Sequence, residues 1–196
     1  MDIMEKVFKN PEDTAYLARG YFTDTILIDD CVAYVKPLLH QKPHVVVFGK
    51  KCRQNRNVGF FSDESIGYKY SNNLMESQPL GDKMTKLLYM VNSTLGTNFN
   101  GILVNEYADG TDYIGDHSDD ETGLTQSGVV SISYGAERIF RIKDKKTKKT
   151  IHNELTTQYG ILQMGGDFQK LYTHGVPIQK KIKTSRLSFT FRTHKH

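Results

Sequence analysis

The sequence predicts an α+β domain that is mainly β, and three observations lead to this prediction. Apolar residues at helical spacing occur before Gly96 and not after it. Beyond Gly96, short apolar runs alternate with turns rich in Gly, Asp, Asn and Lys. The 196 residues are 38% hydrophobic and 24% charged, as is usual for one folded domain. Several short strands after a helical start favour a β-sandwich, jelly roll or barrel with helices packed outside.

The first 40 residues are predicted to contain short helices. Pro11 is followed by two acidic residues, which is typical of a helix start because proline fits the first turn and acids complement the helix dipole. The segment HVVVFGK from His44 is predicted to be a strand, since consecutive valines are β-branched and the run is too short for a helix. Tyr68 and Tyr70 would share one face of a strand.

From Pro79 onwards the sequence predicts an amphipathic helix followed by strands. The apolar residues of this helix lie three and four positions apart, and Gly96 stops it; they are Met84, Leu87, Leu88, Val91 and Leu95. The predicted strands that follow cover residues 99–107, 129–134, 139–142, 159–164 and 187–191.

Charge and cysteine content limit the classes of protein. The formal charge is only +4, but the basic residues are clustered in three segments. These contain Lys50, Lys51, Arg53 and Arg56; Lys143, Lys145, Lys146, Lys148 and Lys149; and Lys180, Lys181 and Lys183. If these basic segments lie close together in space, they would bind a polyanion, whereas separate segments would be solvated loops.

Cys31 and Cys52 form no CxxC pair, which argues against a thiolate zinc site. No apolar stretch suits a membrane span or a signal peptide, so we expect a soluble intracellular protein.

Two histidines and an aspartate form a candidate metal site. His117 and Asp119 are two positions apart, so in an extended segment both side chains project to the same side. His174 follows in LYTHGVP. Two His and one carboxylate form a facial triad that leaves positions on Fe(II) open for a co-substrate and oxygen. Zinc is the competing metal, and a hydrogen-bonded loop pair without metal is the alternative.

The segment RLSFTFR places two arginines on one face of a predicted strand. Arg186, Ser188, Thr190 and Arg192 alternate with three apolar residues that would pack in the core. A buried guanidinium needs an anionic partner because an unpaired buried charge is costly. A dicarboxylate co-substrate would supply that partner, and the alternative is a pair of surface arginines in salt bridges.

Three motifs together resemble one family. The segments NEYADGTDYIGDHSDDE (105–121), MGGDFQKLYTHGVP (164–177) and RLSFTFR (186–192) resemble the AlkB-type Fe(II)/2-oxoglutarate dioxygenases, which demethylate nucleic-acid bases. VFGK (47–50) and YKY (68–70) are similar to the eukaryotic DNA-repair members. The resemblance implies a double-stranded β-helix, or jelly roll, with N-terminal helices and a nucleotide-recognition lid. It divides a single domain, 1–196, into a helical N-terminal segment (1–43), the lid (44–78), a supporting helix (79–96) and a jelly-roll core (97–196).

The resemblance also assigns site residues. It implies Fe(II) ligands at His117, Asp119 and His174. For 2-oxoglutarate it implies contacts from Asn105, Tyr107, Arg186, Thr190 and Arg192. For the nucleic acid it implies a finger at Phe48 and Gly49, which fills the gap left by a flipped base, and an aromatic pair at Tyr68 and Tyr70. It also implies acidic residues beside the base at Asp120 and Glu121, and basic contacts at Lys50 and Arg56. Phe48 could instead be ordinary strand core.

The implied activity is oxidative demethylation of N-alkylated bases in DNA, such as 1-methyladenine and 3-methylcytosine. Decarboxylation of 2-oxoglutarate with O2 would be coupled to hydroxylation of the methyl group and release of formaldehyde. A methylated Watson–Crick edge cannot pair, so such a base flips out more easily. An RNA demethylase, a protein or small-molecule hydroxylase, and a non-catalytic nucleic-acid-binding protein are the alternatives. We expect a monomer that binds no membrane.

The lid departs from the family pattern. Asn55-Arg56 stands where relatives commonly have Pro-Arg, and Phe61-Ser62-Asp63 stands where they commonly have Tyr-Gly-Asp. The chain contains no Trp. These differences bear on substrate choice and leave the implied iron ligands intact.

Overall fold

A computed structural model describes residues 4–47, 49–70, 73–119 and 128–194. The first half of the chain contains β1 (Glu5–Lys9), β2 (Ala15–Tyr21), α1 (Thr25–Val35), a 3-10 turn (Lys36–Leu38), β3 (His44–Val47), β4 (Lys50–Arg53), β5 (Asn57–Phe61), β6 (Gly67–Tyr70), β7 (Asn73–Glu76) and α2 (Gly81–Leu95). The second half contains β8 (Gly101–Tyr107), β9 (Ile114–His117), β10 (Val129–Gly135), β11 (Arg138–Asp144), β12 (Thr150–Thr156), β13 (Gly160–Gly166), α3 (Phe168–Leu171), β14 (Tyr172–Val176) and β15 (Arg186–Arg192).

Two antiparallel sheets form the body of the protein. The described strands of the major sheet follow the order β1-β2-β13-β10-β15-β8-β5. Those of the minor sheet follow the order β12-β11-β14-β9. Strands distant in sequence are neighbours in both sheets, as in a jelly roll. The structure thus confirms a mainly β jelly roll, and it adds two hairpins, β3–β4 and β6–β7, outside the two large sheets.

Alternation along the strands separates two layers of packing. On one face of the major sheet, Leu187, Phe189 and Phe191 of β15 pack in one cluster with apolar residues of α1 and α2. A second cluster, which includes Phe140 of β11 and Met164 of β13, fills the space between the two sheets. The apolar face of β15 therefore supports the helices, and its other face is left for polar residues.

Helix α2 confirms the predicted amphipathic helix. Its buried residues are Met84, Leu87 and Val91. Gly96 follows the helix with φ 63° and ψ 37°, and its N–H donates to the carbonyl of Asn92. This left-handed conformation is accessible to glycine at little steric cost, which explains the stop at this position.

The helix start predicted at Pro11 is wrong. Pro11 lies in the turn between β1 and β2, where Asn10 Oδ1 accepts a 2.8 Å hydrogen bond from the Ala15 N–H. Strand β2 pairs with β13 along its length, and this tertiary pairing outweighs the local helix preference. The N-terminal helix begins instead at Thr25, where Asp24 Oδ1 accepts from the Leu27 N–H at 3.1 Å. The N-terminal segment predicted to be helical therefore contains a β-hairpin followed by one α-helix.

The segment predicted as a lid, 44–78, is only partly separate from the sheets. Strand β3 confirms the strand predicted from His44, and it pairs with β4. Strand β5, which lies between the two hairpins in sequence, forms an edge of the major sheet.

The two cysteines differ in exposure. Cys31 is buried in the cluster formed by α1, α2 and the major sheet, and this burial raises the pKa of its thiol to about 12, whereas Cys52 is exposed. Within the described ranges no helix is long and apolar enough to cross a bilayer.

Candidate active site

Strand register brings two histidines together in the minor sheet. His117 at the end of β9 pairs directly with His174 on β14. Residues opposite each other in an antiparallel pair share a face, and the two ring centroids lie 4.4 Å apart. Phe140 of β11 stacks on the His174 ring, with centroids 5.2 Å apart and an interplanar angle of 22°. The histidine pair is thus held by the sheet and by an aromatic neighbour.

Asp119 completes this cluster two residues after the end of β9. Its Oδ1 lies 3.6 Å from His117 Nε2, and its Oδ2 lies 3.5 Å from His174 Nε2. His117 Nδ1 lies 2.9 Å from the carbonyl of Gly115 and must donate to it, so His117 Nε2 carries the lone pair that faces the cluster. The three ligand atoms all lie within 4.8 Å of one another.

The protonation states of His117 and Asp119 suit a metal ion. Burial, and next the nearby His174, lower the pKa of His117 to about 4, so its imidazole is neutral at pH 7. Burial alone would raise the pKa of Asp119, but the Arg192 guanidinium and His174 outweigh it and hold that pKa well below its usual range. Asp119 Oδ2 is buried and accepts no hydrogen bond within the described ranges of the chain. The ionised Asp119 carboxylate and the imidazoles of His117 and His174 could hold Fe(II) or zinc.

A polar pocket adjoins the histidine–aspartate cluster on the major sheet. Register aligns Arg186 with Tyr107, and Ser188 with Asn105, on neighbouring strands β15 and β8. Paired residues share a face, so the polar face predicted for β15 points between the two sheets. The residues that line the pocket include Arg56, Asn105, Tyr107, His117, Asp119, Met164, His174, Arg186, Thr190 and Arg192. The two predicted groups, for metal and for co-substrate, therefore lie in one cavity.

Arg186 is one of the buried cations that line this pocket. Its residue is 3% exposed, and Nη2 donates to Ser133 Oγ at 2.9 Å. Its guanidinium carbon lies 5.5 Å from the Tyr107 ring centroid. Among the described residues, its Nε has no acceptor and no carboxylate forms an ion pair with it. Burial lowers the pKa of Arg186, as expected for a cation that lacks a counter-ion. The pocket can therefore receive a carboxylate here.

Arg192 and Arg56 have protein partners in the same cavity. Arg192 Nη2 lies 2.8 Å from Asp119 Oδ1, and both side chains are buried. Arg56, predicted from the resemblance to contact nucleic acid, is 5% exposed and donates from Nε to Asn105 Oδ1 at 2.7 Å. The structure thus places Arg56 at the wall of the pocket, where it orients the Asn105 amide.

Sequence reasoning missed Arg138. It is fully buried and donates to the carbonyls of Asp109 at 3.0 Å, Asp112 at 2.8 Å and Pro177 at 2.9 Å. Its guanidinium also lies 5.5 Å from the Tyr107 ring centroid. Arg138 ties the segments before β9 and after β14 to each other. Its position in the alternation RIFRI, on the same face as two buried apolar residues, is the feature that could have revealed it.

The predicted nucleic-acid contacts are described only partially. Gly49 has a φ of 74° in the turn between β3 and β4, and Lys50 after it is exposed. Tyr68 and Tyr70 lie on β6, and their side chains are not described. Three further predicted contacts lie outside the described residues: Phe48, Asp120 and Glu121.

The basic run of the β11–β12 hairpin is divided between two roles. Lys143 Nζ pairs with Asp116 at 2.7 Å, and Lys145 Nζ donates to the carbonyl of Gln169 at 2.6 Å. The other lysines of the basic runs that follow β10 are exposed, namely Lys146, Lys148, Lys149, Lys180, Lys181 and Lys183. Exposed lysines remain available to a polyanion, whereas Lys143 and Lys145 fix the structure around the site.

A jelly roll with two histidines and a carboxylate beside a buried arginine has the architecture of a mononuclear non-haem oxygenase. A sequence model of the 2OG-Fe(II) oxygenase superfamily matches residues 14–192. The chain belongs to this superfamily, whose name gives its metal and its co-substrate.

Individual relatives are similar over most of this chain. It is 32% identical to the DNA oxidative demethylase ALKBH2 of Homo sapiens over 156 residues, which are 76% of this chain and 60% of the human protein. It is 34% identical to the Mus musculus ALKBH2, covering 76% of this chain and 65% of the mouse protein. The chain thus spans less than two thirds of these two relatives. The solved structure of OsALKBH1 superposes with a TM-score of 0.62 at 17% identity, covering 98% of this chain and all of the other, which shows a shared fold.

Proposed function

We propose that this protein is an Fe(II)- and 2-oxoglutarate-dependent dioxygenase that removes methyl groups from N-methylated bases of DNA. The observation that carries the proposal is the cluster of His117, Asp119 and His174 in the same cavity as the buried Arg186. Similarity to proteins named DNA oxidative demethylase supports DNA as the substrate. The bases proposed are 1-methyladenine and 3-methylcytosine.

In this proposal His117 and His174 bind Fe(II) through Nε2, and Asp119 binds it through a carboxylate oxygen. Arg192 holds Asp119 Oδ1 at 2.8 Å and keeps the carboxylate ionised and oriented. When bound, the iron supplies oxidation of the methyl group by O2, at the expense of 2-oxoglutarate. These three residues would leave other positions on Fe(II) open to co-substrate and oxygen.

Arg186 anchors the distal carboxylate of 2-oxoglutarate in the proposed complex. A guanidinium can donate two parallel hydrogen bonds to a carboxylate, which fixes the direction of the bound molecule. Tyr107 lies between Arg138 and Arg186, with its ring centroid 5.5 Å from each guanidinium carbon, so its own orientation is fixed. Asn105 and Thr190 line the remaining wall. These residues exclude water and position the co-substrate beside the metal ligands.

The proposed nucleic-acid contacts lie in the hairpins and in the segment after Asp119. Phe48 and Gly49 fill the gap left by the flipped base, while Lys50 contacts phosphate. Tyr68 and Tyr70 stack on the base, and Asp120 and Glu121 contact its polar edge. Arg56 acts indirectly in this proposal, because its hydrogen bond to Asn105 couples the start of β5 to the co-substrate wall.

A turnover assay on matched oligonucleotides tests the proposed function. Single-stranded DNA, duplex DNA and RNA, each with one 1-methyladenine, are incubated with the protein, Fe(II), 2-oxoglutarate and O2, with unmethylated strands as controls. We expect loss of the methyl group from DNA together with equimolar succinate and formaldehyde. Preferential repair of RNA would support the RNA demethylase instead. Succinate release without loss of the methyl group from any strand would favour a hydroxylase of another substrate, and no succinate at all would refute the proposal.

A further inference from the structure

Asp119 lies beyond the last residue of β9, so the β-ladder does not hold it. The final pair between β9 and β14 is His117 with His174. Two hydrogen bonds from the following residues hold this segment against α3 and β14 instead. Ser118 Oγ donates to the carbonyl of Tyr172 at 2.9 Å, and the Asp119 N–H donates to Gln169 Oε1 at 2.9 Å. The backbone of Asp119 is therefore fixed by a side chain from α3.

The Gln169 amide is itself held in one orientation. Its Nε2 donates to Met164 Sδ at 3.3 Å, and Met164 lines the cavity that contains the histidine–aspartate cluster. The Asp119 N–H can only donate, so the carbonyl oxygen of the amide must face it. The main-chain carbonyl of Gln169 accepts from Lys145 Nζ at 2.6 Å, and the Lys145 N–H donates to the carbonyl of Leu171 at 3.0 Å. Gln169 thus connects β13, the β11–β12 hairpin and Asp119.

We propose that Gln169 is a positioning residue for the metal centre and that it acts through the backbone of Asp119. The Asp119 carboxylate has three nearby partners: Arg192 at 2.8 Å, and the Nε2 atoms of His117 and His174 at 3.6 Å and 3.5 Å. With the Asp119 backbone fixed by Gln169, the carboxylate shares one oxygen with Arg192 and keeps the other directed at His174. Without the hydrogen bond, the segment can shift so that both oxygens pair with Arg192, which removes a ligand from the metal.

Metal affinity measured on variants of Gln169 tests this inference, which rests on the metal centre of the proposed function. Gln169→Met keeps the length of the side chain and removes the acceptor, whereas Gln169→Glu keeps an acceptor for the Asp119 N–H. Lys170→Met is the matched control, because Lys170 lies on the same helix with a side chain that is 79% exposed and pairs only with Asp167 among the described residues. Mn²⁺ is titrated into each protein in the absence of nucleic acid, and free Mn²⁺ is followed by electron paramagnetic resonance.

We expect Gln169→Met to raise the Mn²⁺ dissociation constant by about 10- to 100-fold, the range for loss of an outer hydrogen bond to a metal ligand. Gln169→Glu and Lys170→Met should keep the wild-type constant to within about threefold or lower it, since both retain an acceptor for the Asp119 N–H. The melting temperature without metal should be similar for all four proteins. Should Gln169→Met fail to fold, Gln169→Asn, whose amide is one methylene too short to reach Asp119, must raise the constant instead.

Two outcomes would overturn the inference while leaving the proposed function in place. One is an unchanged dissociation constant in Gln169→Met. The other is an equal loss of affinity in Gln169→Met and Gln169→Glu, which would attribute the effect to the contact with Met164. A wild-type protein that binds no Mn²⁺ would overturn the proposed metal centre and this inference together.

Discussion

Replacing Arg186 with Lys tests whether its buried guanidinium receives the carboxylate of a co-substrate. Arg186 is 3% exposed, and its Nε has no acceptor within the described residues. Lysine keeps the positive charge but cannot donate two parallel hydrogen bonds to one carboxylate. The substitution therefore removes directional binding at this position without removing the charge.

The size of the effect follows from the lost hydrogen bond. A hydrogen bond to a charged group contributes roughly 1.5 to 3 kcal/mol. Loss of one of the two bonds to the carboxylate should raise the 2-oxoglutarate dissociation constant by roughly 10- to 150-fold. Metal affinity should be unchanged, because Arg186 forms no contact with His117, Asp119 or His174 among its described hydrogen bonds and ion pairs.

Isothermal titration of 2-oxoglutarate into the Mn²⁺-loaded protein under anaerobic conditions measures this constant. Arg19→Lys is the matched control, since it makes the same conservative change at a side chain that is 55% exposed and pairs with Glu5 and Glu154. A melting temperature close to the wild-type value shows that the variant is folded. An unchanged 2-oxoglutarate constant in folded Arg186→Lys would refute the assignment of Arg186.

Three other substitutions give distinct expected results. Phe48→Ala should reduce demethylation of duplex DNA far more than that of single strands, because a wedge is needed only where a base pair must be held open. Equal loss of activity on both substrates, together with a lower melting temperature, would indicate that Phe48 packs in the core. Changing Lys146, Lys148 and Lys149 to Glu should flatten the dependence of DNA affinity on salt concentration, since fewer counterions are released on binding. An unaltered slope in a salt titration would show that these lysines are solvated and do not contact DNA. Phe189→Ala should lower the free energy of unfolding by about 3 to 5 kcal/mol in urea denaturation, because Phe189 is fully buried; a loss below about 1 kcal/mol would contradict its place in the core.

Local patterns in the sequence predicted those features that depend on neighbouring residues. The alternation in RLSFTFR placed Phe189 in the core and Arg186 on the opposite face, as the structure shows. The three- and four-residue spacing before Gly96 predicted α2. Such patterns predict structure well because each strand or helix buries one face, so the spacing of its apolar residues is visible within a single short segment.

Features that depend on distant pairing could not be read in this way. Proline followed by acids suits a tight turn as well as a helix start, and pairing of β2 with β13 decides in favour of the turn before Ala15. The direct pairing of His117 with His174 depends on register between strands far apart in sequence. The alternation RIFRI indicates that Arg138 is buried, but it does not show which carbonyls Arg138 binds. The role of Gln169 likewise depends on the N–H of a residue in another segment.

The most direct test of the proposed function compares the wild-type protein with Asp119→Ala on DNA that contains 1-methyladenine. Mass spectrometry follows the loss of the methyl group, while bound Fe(II) is quantified in the same samples under anaerobic conditions before O2 is added. We expect the wild-type protein to bind one Fe(II) and to release one formaldehyde per methyl group lost, and Asp119→Ala to lose both iron and turnover. Demethylation by Asp119→Ala at the wild-type rate with iron still bound would contradict the metal centre, and intact 1-methyladenine with the iron-loaded wild-type protein would contradict the proposed activity.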